Sequence, residues 1–287
     1  MENEKIVVVV TGASRGAGRG IAIALGSHGC TVYVTGRSQQ PGDSPLPGTI
    51  YETAEAVERA GGSGIAVRVD HAEDDQVRAL FERVRREQGR LDILVNNAFF
   101  QHEAMTGPGR FWEKPLELVE CLDVGLRSSY VASYYAAPLL VERERALVAF
   151  TSATGAVHYA FGPAYGVQKA GTDKMAADMA VDFQKSGVAV VSIWMGAVAT
   201  ERLEAMMAKN PDYERAVRGI LETPEFTGHV IWALYNDPGL KKISGQTVIG
   251  AEMAVKYGIR DEGGRQPPSF RDLHKVEPRQ QYPVVFR

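Results

Sequence analysis

A chain of 287 residues, 45% hydrophobic and 23% charged, can bury one large α/β core or two small ones, and this composition is ordinary for a water-soluble domain. Its formal charge of −3 lacks the basic excess that nucleic acid or an anionic membrane surface would require of a partner. No apolar run approaches the ~20 residues that cross a bilayer, the acidic start Met1-Glu-Asn-Glu-Lys5 does not read as a signal peptide, and Cys30 and Cys121 match no metal spacing, so a cytoplasmic protein with two free thiols is expected.

Ile6-Val-Val-Val-Val10 is a continuous β-branched run that fits a strand buried on both faces. It feeds into Thr11-Gly12-Ala-Ser-Arg15-Gly16-Ala-Gly18, whose glycines at 12, 16 and 18 let backbone approach a ligand, while the helix that follows offers its N-terminus to a pyrophosphate. The second strand, Thr31-Val-Tyr-Val-Thr35, ends at Gly36-Arg37, where an NAD enzyme would carry an acid for the ribose 2′-hydroxyl. No carboxylate is there to repel a 2′-phosphate, and Arg37 and Arg15 are placed to pair with one, so NADP(H) is preferred over NAD(H); the alternative is a pair of solvated surface arginines.

Residues 38–49 hold three prolines and two glycines and must form a loop, either folded over the adenosine end or a surface insertion. A helix over 50–60 and the strand Gly64-Ile-Ala-Val-Arg-Val69 lead to Asp70, which either accepts from the adenine amino group or caps the helix expected at 73–88. Leu91-Asp-Ile-Leu-Val95 then ends in Asn96-Asn97-Ala98-Phe99, asparagines able to lock a strand end to a bound ribose. Strand and helix have by now alternated several times, which describes a single-domain Rossmann fold: an α/β doubly wound parallel sheet of about seven strands with its ligand at the carboxyl ends.

Apolar stripes predict helices over 115–142 and 165–186, and between them Ala146-Leu-Val-Ala-Phe-Thr151 reads as a buried strand that ends at Ser152. Tyr165 and Lys169 stand four apart on one helical face, so a phenol and an ammonium share a site, and the cation is expected to pull the phenol below its usual value near ~10. Ser152 can fix a carbonyl oxygen beside that phenol. Tyr-x-x-x-Lys also arises by chance, and the order of the motifs around it carries the weight. After the last strand, Ile243-Ser-Gly-Gln-Thr-Val-Ile249, residues 251–287 are polar and rich in Gly and Pro, and suit an extended arm packed on the 1–250 domain or on a neighbouring subunit. No internal repeat is present.

These stretches together resemble a short-chain dehydrogenase/reductase over about residues 5–250, through Thr11-Gly12-x-x-x-Gly16-x-Gly18, Asp70, Asn96-Asn97-Ala98, Ser152, Tyr165-x-x-x-Lys169 and Gly196-x-x-x-Thr200 in the family's order. Arg110-Phe-Trp-Glu-Lys-Pro115, Val124-Gly-Leu-Arg127 and Lys256-Tyr-Gly-Ile-Arg-Asp-Glu-Gly-Gly-Arg265 are similar to its branch called dehydrogenase/reductase SDR-family member 1. The resemblance implies NADP(H)-linked reduction of a small-molecule carbonyl, or oxidation of the alcohol, with Tyr165 as acid or base, Ser152 on the carbonyl oxygen and Lys169 on the nicotinamide ribose. It implies cofactor contacts from Gly12, Ser14, Arg15, Gly16, Ala17, Gly18, Arg37, Asp70, His71, Asn96, Asn97, Ala98, Tyr165, Lys169, Gly196, Val198 and Thr200. Substrate contacts are expected from Phe99, His158, Met195 and Met206, the last in a lid over 201–221; for His158 an ordinary loop residue is the competing reading. The outer faces of the two long helices imply a homodimer or homotetramer.

Three departures from the family pattern stand out: Phe99 where glycine is usual, Met195 where proline is usual, and Asp123 where an asparagine holds a water of the proton relay. As an anion near Lys169, Asp123 would hold the lysine's charge and oppose the tyrosinate. That keeps open a second class, an NADP(H)-binding sensor or scaffold with little catalysis; a third reading, a 3-oxoacyl thioester reductase, needs a cationic path for an acyl carrier.

Overall fold

The four valines of β1 (Val7–Val10) divide by turns between two cores: Val8 and Val10 pack into one, Val7 and Val9 into the other, and all four are buried. Side chains alternate across a strand, so a run without a polar position is stable only where both faces are covered. That is the arrangement in the computed structural model, which describes residues 5–282 and 284–286.

In chain order, β1 is followed by α1 (Gly16–Ser27), β2 (Thr31–Gly36), α2 (Ile50–Arg59), β3 (Ser63–Arg68), α3 (Asp74–Gln88), β4 (Ile93–Asn96) and, after a broken stretch, α4 (Ser128–Leu140). Next come β5 (Ala146–Ser152), α5 (Pro163–Asp182), β6 (Val188–Trp194), β7 (Ala197–Val198), α6 (Glu201–Ala208), α7 (Pro211–Val217) and β8 (Leu221–Glu222). The chain closes with α8 (Phe226–Asn236), β9 (Thr247–Ile249), α9 (Gly250–Tyr257) and α10 (Phe270–His274). The main sheet runs β3-β2-β1-β4-β5-β6-β9 with every pair parallel, and β7 pairs with β8 in a separate ribbon. One face is covered by α1, α2, α8 and α9 through residues such as Ile21, Val57, Val230 and Ala254, the other by α3, α4 and α5 through Leu80, Leu139 and Ala176. This is the expected doubly wound single domain, and strand order reverses between β1 and β4, which opens a crevice at the carboxyl ends of those strands.

Three elements differ from the sequence expectation. The helix expected over 115–142 is broken: short 3₁₀ turns cover Phe111–Glu113 and Leu116–Val119, and a wide turn at Leu122–Arg127 precedes α4. The break falls at Gly125, whose φ of 151° suits only glycine, and the Ser128 hydroxyl accepts from the Gly125 N–H at 3.0 Å to start α4 cleanly. The last strand is only Thr247–Ile249, because Leu240–Ile243 forms a 3₁₀ turn and Gly245 sits at φ 86°. Residues 251–287, expected as an extended arm, begin inside α9, whose Ala251 and Ala254 are buried.

Candidate active site

At the carboxyl end of β1, Gly12 (φ 65°) comes so near β4 that a Cβ on it would lie 2.7 Å from Ala98 Cα, and one on Gly18 would lie 2.3 Å from the Gly12 carbonyl oxygen. The turn is laced to β4 by Asn97, whose side-chain amide donates to the carbonyls of Thr11 (2.9 Å) and Gly12 (3.0 Å), while the N–H groups of Asn97 and Ala98 donate to the Thr11 hydroxyl (2.8 and 3.0 Å). Asn96 donates to Ser133 at 2.9 Å and keeps a buried Oδ1 without a partner. No side chain caps the N-terminus of α1 from Arg15; instead the Gly16 N–H donates to the carboxylate of Glu201 at 2.8 Å, so an anion already sits against this loop. The glycine cradle and this anion-accepting terminus fit the diphosphate of a dinucleotide; Ser14 and Ala17, expected beside it, lie in the same turn.

Arg37, exposed just beyond β2, lies 3.8 Å from the carboxylate of Asp70, which brings together the residues expected at the 2′-phosphate and at adenine. Arg15 is committed elsewhere: it donates to the carbonyls of Pro47 (3.0 Å) and Gly48 (2.7 Å) and to the Ser38 hydroxyl (2.9 Å), so it fastens the 38–49 loop onto the glycine turn. His71 is buried against Thr35 (2.9 Å) with Nδ1 unpartnered, and burial lowers its pKa to about 4, so it is neutral.

Tyr165 and Lys169 leave α5 on one side. Pro163 starts the helix with its fixed φ, and Gly155 leaves room for the phenol ring, since a Cβ there would lie 2.5 Å from Tyr165 Cε1. Phe99 and Phe161 stand edge-on to that ring at 6.0 and 5.1 Å, Phe161 holding a positive φ of 58° to do so. The Lys169 ammonium lies over the rings of Phe99 (4.8 Å) and Tyr165 (5.6 Å) and reaches the Thr151 carbonyl at 3.5 Å. Burial draws Lys169 down to about 8. The phenol moves opposite to the sequence expectation: burial pushes it above its ordinary value. Ser152, fully buried at the end of β5, donates weakly to the Lys169 carbonyl (3.5 Å).

Asp123 is not brought to this pair. Its side chain is exposed, in a segment broken at Val124 and Gly125, and the buried group there is Cys121. Thr200 caps α6 by accepting from the Leu203 N–H (3.3 Å) with its methyl against Gly16, Val198 pairs with Glu222, and the Met195 N–H donates to the Ser152 carbonyl (3.1 Å). Gly196 lies beside the ring of Phe270 from α10.

An apolar cavity of about 300 Å³ opens against Tyr165, walled by Met105, Phe111, Leu118 and Leu122 on one side and by Tyr159 and Phe161 on the other. Phe99, His158, Met195 and Met206 do not line it. His158 instead bonds Thr154 (3.0 Å), which also bonds His274 of α10 (3.0 Å), so the chain end is tied to the loop that follows Ser152. Sequence reasoning missed Cys121, His274 and above all Asp173, a buried carboxylate one turn beyond Lys169; extending Tyr165-x-x-x-Lys169 by the same step of four would have found it.

The pattern of the short chain dehydrogenase family matches residues 6–211. The chain belongs to that family. Short-chain dehydrogenases are oxidoreductases that act on small molecules with NAD(H) or NADP(H). The chain is 39% identical to human "Dehydrogenase/reductase SDR family member 1" over 281 residues, covering 94% of this chain and 87% of that one. It is 39% identical to the mouse protein of the same name, covering 93% and 86%. Among solved structures, a Xanthomonas campestris protein described as a dehydrogenase superimposes with TM-score 0.76 and 26% identity over 93% of this chain and 94% of the other. Among the described residues no helix of this short-chain dehydrogenase is long and apolar enough to cross a membrane.

Proposed function

We propose that the protein is an NADP(H)-dependent reductase of carbonyl groups on apolar small molecules, with Tyr165 as the proton donor. The observation that carries this reading is the apolar cavity against Tyr165, whose phenol and the Lys169 ammonium share the edge of the sheet with the glycine cradle. When bound, the nicotinamide supplies the hydride. Gly12, Gly16 and Gly18 would receive the diphosphate, and Arg37 the 2′-phosphate, at the end of β2, which carries no acid of its own; Asp70, 3.8 Å from the guanidinium, comes from the end of β3. Lys169 would hold the ribose, and Thr200 the carboxamide.

Tyr165 retains its proton at neutral pH, as a donor to a developing alkoxide must, and general acid catalysis of this kind contributes about 10²- to 10⁴-fold. Ser152 would hydrogen-bond the same oxygen where its charge develops. The apolar walls of the cavity favour an apolar body on the substrate. Tyr130 and Tyr134 on α4, Val141 just after it and Val167 on α5 are exposed apolar surface that a second copy of the chain would cover. The sensor reading rested on Asp123 beside Lys169, and the exposure of Asp123 removes that support.

The test is NADPH oxidation against a panel of apolar ketones, quinones and 3-oxoacyl thioesters, for the wild type and for Tyr165→Phe. Turnover of an apolar ketone that falls at least 100-fold in the variant, with NADPH binding retained, supports the reading. Tight NADPH binding without turnover of any compound favours the sensor.

A further inference from the structure

Behind the reacting groups lies a buried carboxylate that the mechanism above does not use. Asp173 sits one turn beyond Lys169 on α5 and is 7% exposed. Its Oδ1 accepts from the Ser192 hydroxyl at 2.6 Å and its Oδ2 from the Trp194 indole N–H at 2.8 Å, both from β6. Trp194 pairs with Ser152 in the register of β5 and β6, so Asp173 ties α5 to the strand that lies beside the one ending at Ser152. An ionised carboxylate buried this deeply is costly unless donors and a cation surround it. Here burial raises the Asp173 pKa, and the Ser192 and Trp194 donors of β6 and the field of Lys169, one turn earlier on α5, oppose that rise.

We propose that Asp173 is a positioning residue of the reductase: it holds Lys169, one turn earlier on the same helix, as an ammonium, through a carboxylate that Ser192 and Trp194 pin in place. The proposal rests on the reductase reading for its catalytic meaning. Its physical content, control of the lysine's charge, does not need turnover.

The groups that face Lys169 bear this out element by element. From α5 come Asp173 and the Tyr165 phenol, from the stretch before α4 the Cys121 thiol, from the end of β4 the Phe99 ring, and from β5 the Thr151 carbonyl and Ser152. Burial favours the neutral amine and Asp173 opposes it, while the thiol of Cys121 is held protonated by its own burial. Removing the charge at 173 therefore lets the lysine lose its proton at lower pH.

The experiment compares wild type, Asp173→Asn and Ser192→Ala as full-length proteins. Lysine labelled with ¹³C at Cε reports the Lys169 amine directly by NMR, and kcat is followed from pH 6 to 9 with the ketone turned over best by the wild type. In Asp173→Asn the lysine titration and the alkaline limb of kcat both move down by about one pH unit, and activity recovers toward the wild-type value at pH 6. Ser192→Ala, which removes one donor to the carboxylate and disturbs the fold least, changes the Lys169 titration measurably. Lysine titrations that superimpose on the wild type in the folded variants overturn the proposal; should Asp173→Asn not fold, Ser192→Ala decides alone by the same criterion. A wild type that reduces no carbonyl sinks the reductase reading, and the NMR titration still decides the role of Asp173.

Discussion

The ammonium of Lys169 lies 4.8 Å from the centre of the Phe99 ring, at the position where the family pattern has glycine. A buried cation without water needs compensation, and an aromatic face supplies it, worth about 2 kcal/mol when desolvated. Phe99 also meets Tyr165 edge-on, so one side chain braces both members of the pair. Replacing Phe99 with Leu keeps the apolar volume and removes the ring. The expected outcome is an alkaline limb of kcat displaced to lower pH, with NADPH affinity changed less than threefold, whereas Phe99→Tyr behaves as the wild type. Steady-state kinetics from pH 6 to 9 check this; a Leu variant with the wild-type profile would show that the ring does not support the lysine.

Asp123 gives the opposite expectation from the one its place in the sequence invites. Because its side chain is exposed, Asp123→Asn should alter stability by no more than about 0.5 kcal/mol and leave the pH profile of kcat unshifted. Thermal melts and the same pH series measure both. A displaced profile would return Asp123 to the proton relay.

The contrast between these two residues marks where the sequence could be read. The valine run of β1 and the four-residue step from Tyr165 to Lys169 are local patterns, and local periodicity survives into the structure. Asp123 stands exposed beside a break in the helix at Gly125 (φ 151°), with Cys121 as the buried group, and no local period announces such a break. The direction of the Tyr165 shift was misread for another reason: spacing gives the neighbouring charge but not the burial, and burial wins. The bond between His274 and Thr154 joins residues 120 apart in sequence, and no periodic signal announces such a contact.

Arg37 bears on cofactor choice. Its guanidinium is exposed and held only loosely by Asp70 at 3.8 Å, so it can turn to a phosphate without breaking a tight ion pair. Arg37→Asp places a carboxylate where a 2′-phosphate would lie, and should weaken NADPH at least tenfold more than NADH. Fluorescence titration with each nucleotide decides it; equal loss for both would reject the phosphate role.

Two buried groups away from the reacting atoms predict how stability follows pH. Glu222 lies on β8 beside Gly196, fully buried with Oε2 unpartnered, and burial raises its pKa from 4.5 to about 7. Between those values the folded protein binds more protons than the unfolded chain, so stability falls as pH rises, by about 3 kcal/mol in all. His71 works in the other direction: lowered from 6.5 to about 4, it binds its proton more readily in the unfolded chain, and stability falls as pH drops through that window. Between pH 4.5 and 6.5 the two effects oppose each other. Glu222→Gln removes one of them and keeps the shape and the bond to Thr227, so its stability relative to the wild type should grow from pH 5 to about 7 and level off by pH 8, most of the ~3 kcal/mol being gained over that range. Urea melts of the two proteins at pH 5, 6, 7 and 8 measure the difference, in which the contributions of all other titrating groups cancel. A difference that does not change with pH would mean that Glu222 stays ionised in the folded protein, and that a cation or ordered water reaches it behind the β7–β8 ribbon.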